Sequence, residues 1–217
     1  MAKAIFVTGT GTDVGKTYVT GLLLKKMNEM GKKAAYYKAA MSGNERDSEG
    51  NLIPGDAVSV KETSGIGQPL AEMCPYIYEN AYSPHLASRI EGGPVEMDVV
   101  RAGYDEVCRK YDYVVMEGSG GILCPIRCDD VKIQLEDIVR AFELPDVYKR
   151  QLADYAQKQP SAPIGRLQLI REGKDNITGK KRMKRLDLAK SAVRAKVMSL
   201  RTAQELDSLF LDDEFVD

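Results

Sequence analysis

The sequence lacks a long apolar run and contains only one histidine and four cysteines. These features exclude several classes of protein. No stretch approaches the roughly 20 consecutive apolar residues that a membrane-spanning helix needs. Only Met1 to Lys3 precede the first apolar segment, which is too little for a secretory signal peptide, so we expect a cytoplasmic protein.

The cysteines do not have the spacing of a zinc site. Cys124 and Cys128 lie close together, but neither a second close pair nor a histidine follows them, and Cys74 and Cys108 stand alone. We therefore expect four free thiols, as is usual in a reducing cytosol.

What the sequence does contain is typical of one globular α/β domain. The 217 residues are 43% hydrophobic and 29% charged, with a net charge of −1. This average conceals an asymmetry, because residues 1–145 hold 16 basic and 21 acidic residues, whereas residues 166–201 hold 12 basic and 3 acidic ones. We therefore divide the chain into a domain at 1–145 and a divergent segment at 146–217.

The first part of the chain predicts a β-α-β unit, and hence a parallel sheet flanked by helices. A short apolar run rich in β-forming residues, Ala4 to Thr8, indicates a buried strand, and Ala34 to Lys38 indicates a second one. Between them, Lys16 to Met30 has one apolar face and ends at a glycine, which is typical of a helix.

Further elements follow, after a polar loop at 42–55. Proline at the first helical position favours a helix that starts at Ser83-Pro84. We also predict a helix that begins at Asp56 as its N-cap, and two further helices that span 97–110 and 134–142. A buried strand at 113–116 is predicted to end at Glu117.

A glycine-rich turn lies between the first strand and the first helix, which is the context of a phosphate-binding loop. Backbone N–H groups and the helix N-terminus would face phosphate oxygens, Lys16 would reach the β- and γ-phosphates, and the Thr17 hydroxyl would bind magnesium. Threonine replaces the usual first glycine at position 10, so the loop is a variant. The candidate nucleotide-binding residues are Gly11, Thr12, Asp13, Val14, Gly15, Lys16 and Thr17.

Two acids are candidates to hold the metal, because magnesium usually takes one or two protein carboxylates. Glu117 stands at the carboxyl end of a predicted parallel strand, which faces the usual ligand crevice. Asp56 follows a flexible loop and could reach the same ion. Glu117 could equally belong to a capped turn, and Asp56 taken alone is better explained as a helix N-cap.

Over residues 3–145 the sequence resembles the dethiobiotin synthetase family. The resemblance is carried by Phe6 to Thr17, Tyr37-Lys38 with Ser42-Gly43, Asp56-Ala57, Ser83-Pro84-His85, and Glu117 to Gly121. It implies an enzyme that uses ATP and CO2 to close a ureido ring on 7,8-diaminononanoate in biotin biosynthesis, through a carbamate and its mixed anhydride with phosphate. It also implies a homodimer.

The same resemblance implies roles for individual residues. Lys16 and Lys38 would be catalytic, the former at the γ-phosphate and the latter at the carbamate and the phosphoryl group in transfer. The implied metal ligands are Thr17, Asp56 and Glu117, and the implied substrate-binding residues are Thr12, Lys38, Ser42 and Gly118. His85 either contacts the diamine or, as we favour, makes a backbone hydrogen bond at a helix start.

The sequence also departs from the family pattern. Asp13 replaces a frequent glutamate, Ala39 replaces the proline after the lysine, and Ser119 replaces an alanine. After Pro145 the family continues with an apolar strand and an adenine-reading segment, and neither pattern is present here. We hypothesise that residues from about 146 onward derive from another reading frame or a joined sequence, which leaves Ala4 to Thr8 at a sheet edge and weakens or abolishes catalysis.

The segment at 146–217 is predicted to be mostly helical, with apolar positions recurring from Met183 to Phe210 and a basic cluster at 180–185. We expect the cluster to be a solvated helix face rather than a nucleic-acid contact, because no aromatic residues are interleaved with it. Two alternatives to a dethiobiotin synthetase remain. One is a nucleotide-binding module without turnover, and the other is another amidating synthase of the same phosphate-loop class.

Overall fold

The computed structural model describes residues 2–9, 12 and 14–144. The strands are β1 (Lys3–Gly9), β2 (Ala34–Tyr37), β3 (Ala40–Met41), β4 (Tyr76–Ile77), β5 (Tyr113–Gly121), β6 (Pro125–Cys128) and β7 (Lys132–Gln134). The helices are α1 (Lys16–Glu29), α2 (Gly55–Ser64), α3 (Pro84–Glu91), α4 (Met97–Lys110) and α5 (Leu135–Ala141), with a 3-10 turn at Leu70–Glu72.

A parallel sheet with the order β1-β5-β2 forms the centre of the described domain. β1 and β2 are consecutive strands of the predicted β-α-β unit, but β5 lies between them and pairs with both. β1 from Ala4, β2, and β5 from Tyr113 to Met116 are runs of apolar and β-forming residues, as expected for strands that are covered on both faces.

Alternation along these strands divides the interior into two cores. Ile5, Val7, Tyr36 and Val115 face one side, where they pack against α1 and α2. The residues between them in the strands face the other side and pack with α4 and α5. One of them is Tyr37, whose hydroxyl donates a 2.7 Å hydrogen bond to the Val100 carbonyl in α4. The sheet is therefore flanked by helices, as the sequence predicts.

Most predicted elements are confirmed, but two boundaries were wrong. The strand at 113–116 does not end at Glu117, because it continues through small residues to Gly121, where it pairs with Gly9 after a register shift. Asp56 is not the N-cap of its helix: α2 begins at Gly55 after Pro54, and the Asp56 carboxylate binds side chains of other elements instead.

Two small sheets were not predicted. β3 and β4 form a short parallel pair, and β6 and β7 form an antiparallel hairpin that leads into α5. Gln134 caps α5 in a reciprocal capping box with Asp137, one residue from the predicted start.

Several predictions fall on residues that the structure does not describe. These are the strand and reading-frame hypotheses for residues from 146 onward, the long amphipathic helix at 183–210 and the basic cluster at 180–185. In the part of the chain that the structure describes, β1 has β5 as its one strand partner. In that same part of the chain, no helix has the length and apolar character needed to cross a membrane.

Gly118 lies where β5, β1 and α5 meet, and the close packing there predicts that a side chain is not tolerated. A Cβ at this position would stand 2.7 Å from Leu135 Cδ2 and 2.9 Å from Phe6 Cζ. We expect Gly118→Ala to lower the free energy of unfolding by about 1–3 kcal/mol, measured by urea denaturation. Gly67→Ala is the control, because a Cβ there meets no atom within 4 Å. Equal stability of the two variants would show that the packing can relax.

Candidate functional site

The carboxyl edge of the central sheet gathers the candidate residues. The phosphate loop, residues 9–17, follows β1 at this edge, Lys38 directly follows β2, and Glu117 lies within β5 opposite Val7. Since the strands are parallel, their carboxyl ends open on the same crevice, where ligands bind in α/β sheets of this kind.

The phosphate loop turns sharply into α1. Gly15 is the residue before the helix and has a φ of 91°, a left-handed conformation that glycine adopts without strain. A Cβ on Gly9 would lie 2.7 Å from Val14 Cγ2, so the loop folds closely over the end of β1. Thr12 is exposed. Gly11 and Asp13 lie outside the described residues.

Lys16 begins α1 and is buried, with 5% of its surface exposed. The N–H groups of the first helical turn have no partners within the helix, and the helix dipole is positive at this end. A lysine at this position adds a full positive charge to a site that already favours phosphate oxygens.

Four side chains from distant parts of the chain form one hydrogen-bonded group, which we call the Glu117 cluster: Thr17, Lys38, Asp56 and Glu117. Lys38 Nζ lies 2.5 Å from Asp56 Oδ2 and 3.1 Å from Glu117 Oε1. The Thr17 hydroxyl lies 2.8 Å from Glu117 Oε1 and 3.3 Å from Asp56 Oδ1. These residues are up to 100 positions apart in sequence and were all predicted for the site.

Opposite charges offset the effect of burial on the pKa values of Lys38 and Asp56. Burial by itself lowers the pKa of Lys38, but the negative charges of Glu117 and Asp56 outweigh it and raise that pKa above its ordinary value. Burial favours a higher pKa for Asp56, but Lys38, Thr17 and Lys16 together hold it below the ordinary value.

The donor set of the cluster fits magnesium. Thr17, Asp56 and Glu117 supply oxygen atoms only, as a hard cation prefers. Among the described residues, 2–9, 12 and 14–144, no group of three His, Cys, Asp or Glu side chains that could hold a metal is found, so the protein carboxylates here number two. Neighbouring oxygens in an octahedral magnesium shell lie about 3 Å apart, given bonds of roughly 2.1 Å. The separations of the Thr17 hydroxyl from the two carboxylates, 2.8 and 3.3 Å, match this spacing.

Tyr36 is a member of the site that the sequence analysis missed. Its fully buried hydroxyl donates a 3.1 Å hydrogen bond to Glu117 Oε2, the oxygen that Thr17 and Lys38 do not use. Burial, with the adjacent charge of Glu117, raises the pKa of this phenol, so it remains a neutral donor. The period of two along a strand was a usable signal, because it places Tyr36 on the same side as Lys38.

Of the predicted substrate-binding residues outside the cluster, Ser42 makes a hydrogen bond to the backbone of another segment. The Ser42 hydroxyl donates to the Tyr82 carbonyl at 2.5 Å and ties the loop after β3 to the segment before α3. Gly118 is buried beside the cluster, next to Glu117 in β5. Ser119, which was noted only as a departure from the family pattern, donates to the Ala40 carbonyl at 2.5 Å and joins β5 to the segment that follows Lys38.

His85 lies in the first turn of α3 and is half-buried. Its Nδ1 lies 2.9 Å from the hydroxyl of Ser83, the N-cap residue. The expected contact at a helix start is therefore present, but the partner is a side chain rather than the backbone.

Known proteins resemble the chain over the described domain. A family model described as "AAA domain" matches residues 3–145. The chain is 48% identical over 145 residues to the ATP-dependent dethiobiotin synthetase BioD of Clostridium perfringens, covering 67% of this chain and 63% of that protein. For BioD of Brachyspira hyodysenteriae the identity is 47% over 148 residues, covering 68% and 65%.

A third relative aligns over a longer stretch. BioD of Clostridium botulinum strain 657 is 42% identical over 172 residues, which is 79% of this chain and 74% of that protein, so this alignment runs past residue 145. The chain spans about 63% and 65% of the length of the first two relatives.

The parallel sheet, the loop before α1 and the family match define a phosphate-loop domain of the AAA type. Within this class, identities above 40% over about three quarters of a relative identify a narrower group. The chain belongs to the dethiobiotin synthetase family.

Removal of the Lys38 charge is expected to destabilise the domain, because it leaves the buried Glu117 carboxylate and its Asp56 neighbour without their closest cation. Lys38 and Glu117 expose 6% and 1% of their side chains. We expect Lys38→Met to lower the free energy of unfolding by about 3 kcal/mol at neutral pH in chemical denaturation. Lys132→Met, at an exposed position in β7, should change it by less than about 0.5 kcal/mol. Similar losses in both variants would contradict a structural role for the Lys38 charge.

Proposed function

We propose that this chain is an ATP- and magnesium-dependent ligase that carboxylates 7,8-diaminononanoate and closes the ureido ring of dethiobiotin. The Glu117 cluster beside the N-terminus of α1 is the observation that carries this proposal. It combines a cation, two carboxylates and a hydroxyl at the edge where β1 delivers the phosphate loop. The printed names of the relatives, ATP-dependent dethiobiotin synthetase, supply the substrate class.

The proposed reaction has three steps. One amine of the substrate captures CO2 as a carbamate, the carbamate takes the γ-phosphoryl group of ATP, and the second amine displaces phosphate as the ring closes. No step requires a protein nucleophile, so the protein contributes positioning and charge neutralisation.

Each cationic residue has a defined part in these steps. Lys16 and the α1 N-terminus hold the β- and γ-phosphates. Lys38 neutralises the carbamate and the phosphoryl group as it transfers, for which its raised pKa keeps it charged. Thr17, Asp56 and Glu117 would hold magnesium, which would offset the negative charge of the phosphates.

The diamine and its carbamate are proposed to lie along the same edge of the sheet, against Thr12, Lys38, Ser42 and Gly118. Thr12 is exposed in the phosphate loop and its hydroxyl can face a ligand. Ser42 can contribute through the loop that its own hydrogen bond to the Tyr82 carbonyl holds in place. A homodimer in the cytoplasm is part of the proposal, as the family resemblance implies.

A nucleotide-binding module without turnover is the second candidate. This candidate is favoured because about a third of the length of the first two relatives lies outside their alignment with this chain. The purified 217-residue chain distinguishes the two when it is supplied with diaminononanoate, bicarbonate, magnesium and ATP. Substrate-dependent release of phosphate together with dethiobiotin supports the ligase, whereas ATP binding without either product supports the module.

Lys16→Ala is predicted to cut turnover by at least about 100-fold, the usual loss when one preorganised electrostatic contact is removed. The reason is the position of Lys16 at the start of α1, beside the phosphate loop. Lys25→Ala in the same helix is the control and should retain turnover. If Lys16→Ala turns over like Lys25→Ala, the loop does not serve the reaction.

Glu117→Gln and Asp56→Asn should each raise the magnesium concentration for half-maximal turnover by about 10-fold or more, as expected when metal coordination is disturbed. Both changes keep the size of the side chain and remove its charge, so nucleotide binding without magnesium should change less. Asp98→Asn, at an exposed acid in the first turn of α4, is the control. Unchanged magnesium titrations in both test variants would exclude these residues as ligands.

A further inference from the structure

The two oxygens of the Glu117 carboxylate have different partners. Oε1 lies 2.8 Å from the Thr17 hydroxyl and 3.1 Å from Lys38 Nζ, whereas Oε2 accepts the 3.1 Å hydrogen bond from Tyr36. A carboxylate held through one oxygen can still rotate about its last bond. A donor on the second oxygen fixes the plane of the group and determines which oxygen faces the ligand crevice.

Tyr36 can reach Glu117 because of the sheet register. Tyr36 pairs with Val115 in β5, and Glu117 lies two residues further along on the same face. The phenol therefore reaches diagonally from β2 to β5, toward the carboxyl edge. It does so inside the core formed with α1 and α2, where Tyr36 has no exposed surface.

The backbone of Tyr36 is fixed on both sides of β2. One edge of the strand pairs with β5. On the other edge the buried amide of Gln68 accepts from the Tyr36 N–H at 2.7 Å and donates to the Tyr36 carbonyl at 3.0 Å, as a neighbouring strand would. Because the ring is buried and the backbone is held from both sides, the hydroxyl has little freedom to leave Glu117.

Tyr37 shows that burial of a tyrosine in β2 does not require contact with the site. It is buried to the same degree, with 1% exposure, but it faces the opposite core and donates to the Val100 carbonyl in α4. The neighbouring tyrosines therefore make similar hydrogen bonds, one to the Glu117 cluster and the other to a helix backbone.

We propose that Tyr36, held by Gln68, is a positioning residue that orients Glu117 so that Oε1 faces the metal and the phosphates. This inference rests on the proposed function, because it takes Glu117 as a magnesium ligand. Tyr36 suits this task better than a charged donor, since a neutral phenol fixes the carboxylate without neutralising the charge that a cation needs. The geometry also leaves Oε1 to the side of the cluster where Thr17 and Asp56 lie.

The test compares Tyr36→Phe with Tyr37→Phe in the full 217-residue chain. ADP binding is measured by calorimetry over a series of magnesium concentrations, and melting temperatures are recorded by circular dichroism. Tyr36→Phe should raise the magnesium concentration that half-maximally tightens ADP binding by about 10-fold, the lower end for loss of a residue that orients a metal ligand. ADP binding without magnesium should be unchanged, and Tyr37→Phe should match the wild type in the whole series.

A second comparison tests whether Tyr36 acts through Glu117. In a Glu117→Gln background, Tyr36→Phe should have no further effect on the magnesium series, because the oriented charge has already been removed. The double variant contains no buried carboxylate without a donor, so this comparison remains informative even if Tyr36→Phe alone folds poorly.

Three results would overturn the inference: a wild-type magnesium series in a normally folded Tyr36→Phe, equal changes in both tyrosine variants, or a full additional effect in the Glu117→Gln background. Because diaminononanoate is absent, the test is separate from ring closure. A chain that binds ADP more tightly with magnesium but forms no dethiobiotin refutes the proposed function and leaves this test valid. A wild-type chain without any magnesium effect refutes both.

Discussion

The contact between Lys38 and the two carboxylates of Asp56 and Glu117 is the constraint on which the described domain depends. The Lys38 ammonium, which directly follows β2, is so deeply buried that it is stable only beside an opposite charge. Its partners are Asp56 at the start of α2 and Glu117 in the middle of β5. The order β1-β5-β2 places Glu117 between the loop after β1 and the lysine after β2. The same interaction thus joins the elements and assembles the site.

Alternation along the central strands assigns neighbouring residues to different tasks. In β2, Tyr36 faces α1 and α2 and reaches the Glu117 cluster, while Tyr37 faces α4 and packs edge-to-face on Tyr104. In β5, Glu117 is followed by Gly118, which has no room for a side chain, and by Ser119, which is bonded to the backbone after Lys38. Small residues at this point let the strand approach β1 and α5 closely while the carboxylate enters the site.

Two departures from the family pattern lie on the same side of the site. Ala39 follows Lys38 without the ring that would restrict the backbone. The Ser119 hydroxyl bonds the carbonyl of Ala40, the next residue, and so restrains the same segment from across the sheet. The hydrogen bond explains how the backbone beside Lys38 is held although proline is missing there.

Local patterns in the sequence determined the strands of the central sheet, most of the helices, the phosphate loop and two members of the Glu117 cluster, Thr17 and Glu117. Lys38 and Asp56 were assigned to the site only through the family resemblance. Apolar periodicity and glycine placement act over a few residues, so they can be recognised without the fold. Tertiary structure alone decided that β5 lies between β1 and β2, that Asp56 binds Lys38 rather than capping α2, and that Tyr36 and Gln68 support Glu117. These outcomes depend on register and on contacts between residues far apart in sequence, such as Tyr36 and Glu117, which are 81 positions apart, and no local pattern encodes such contacts.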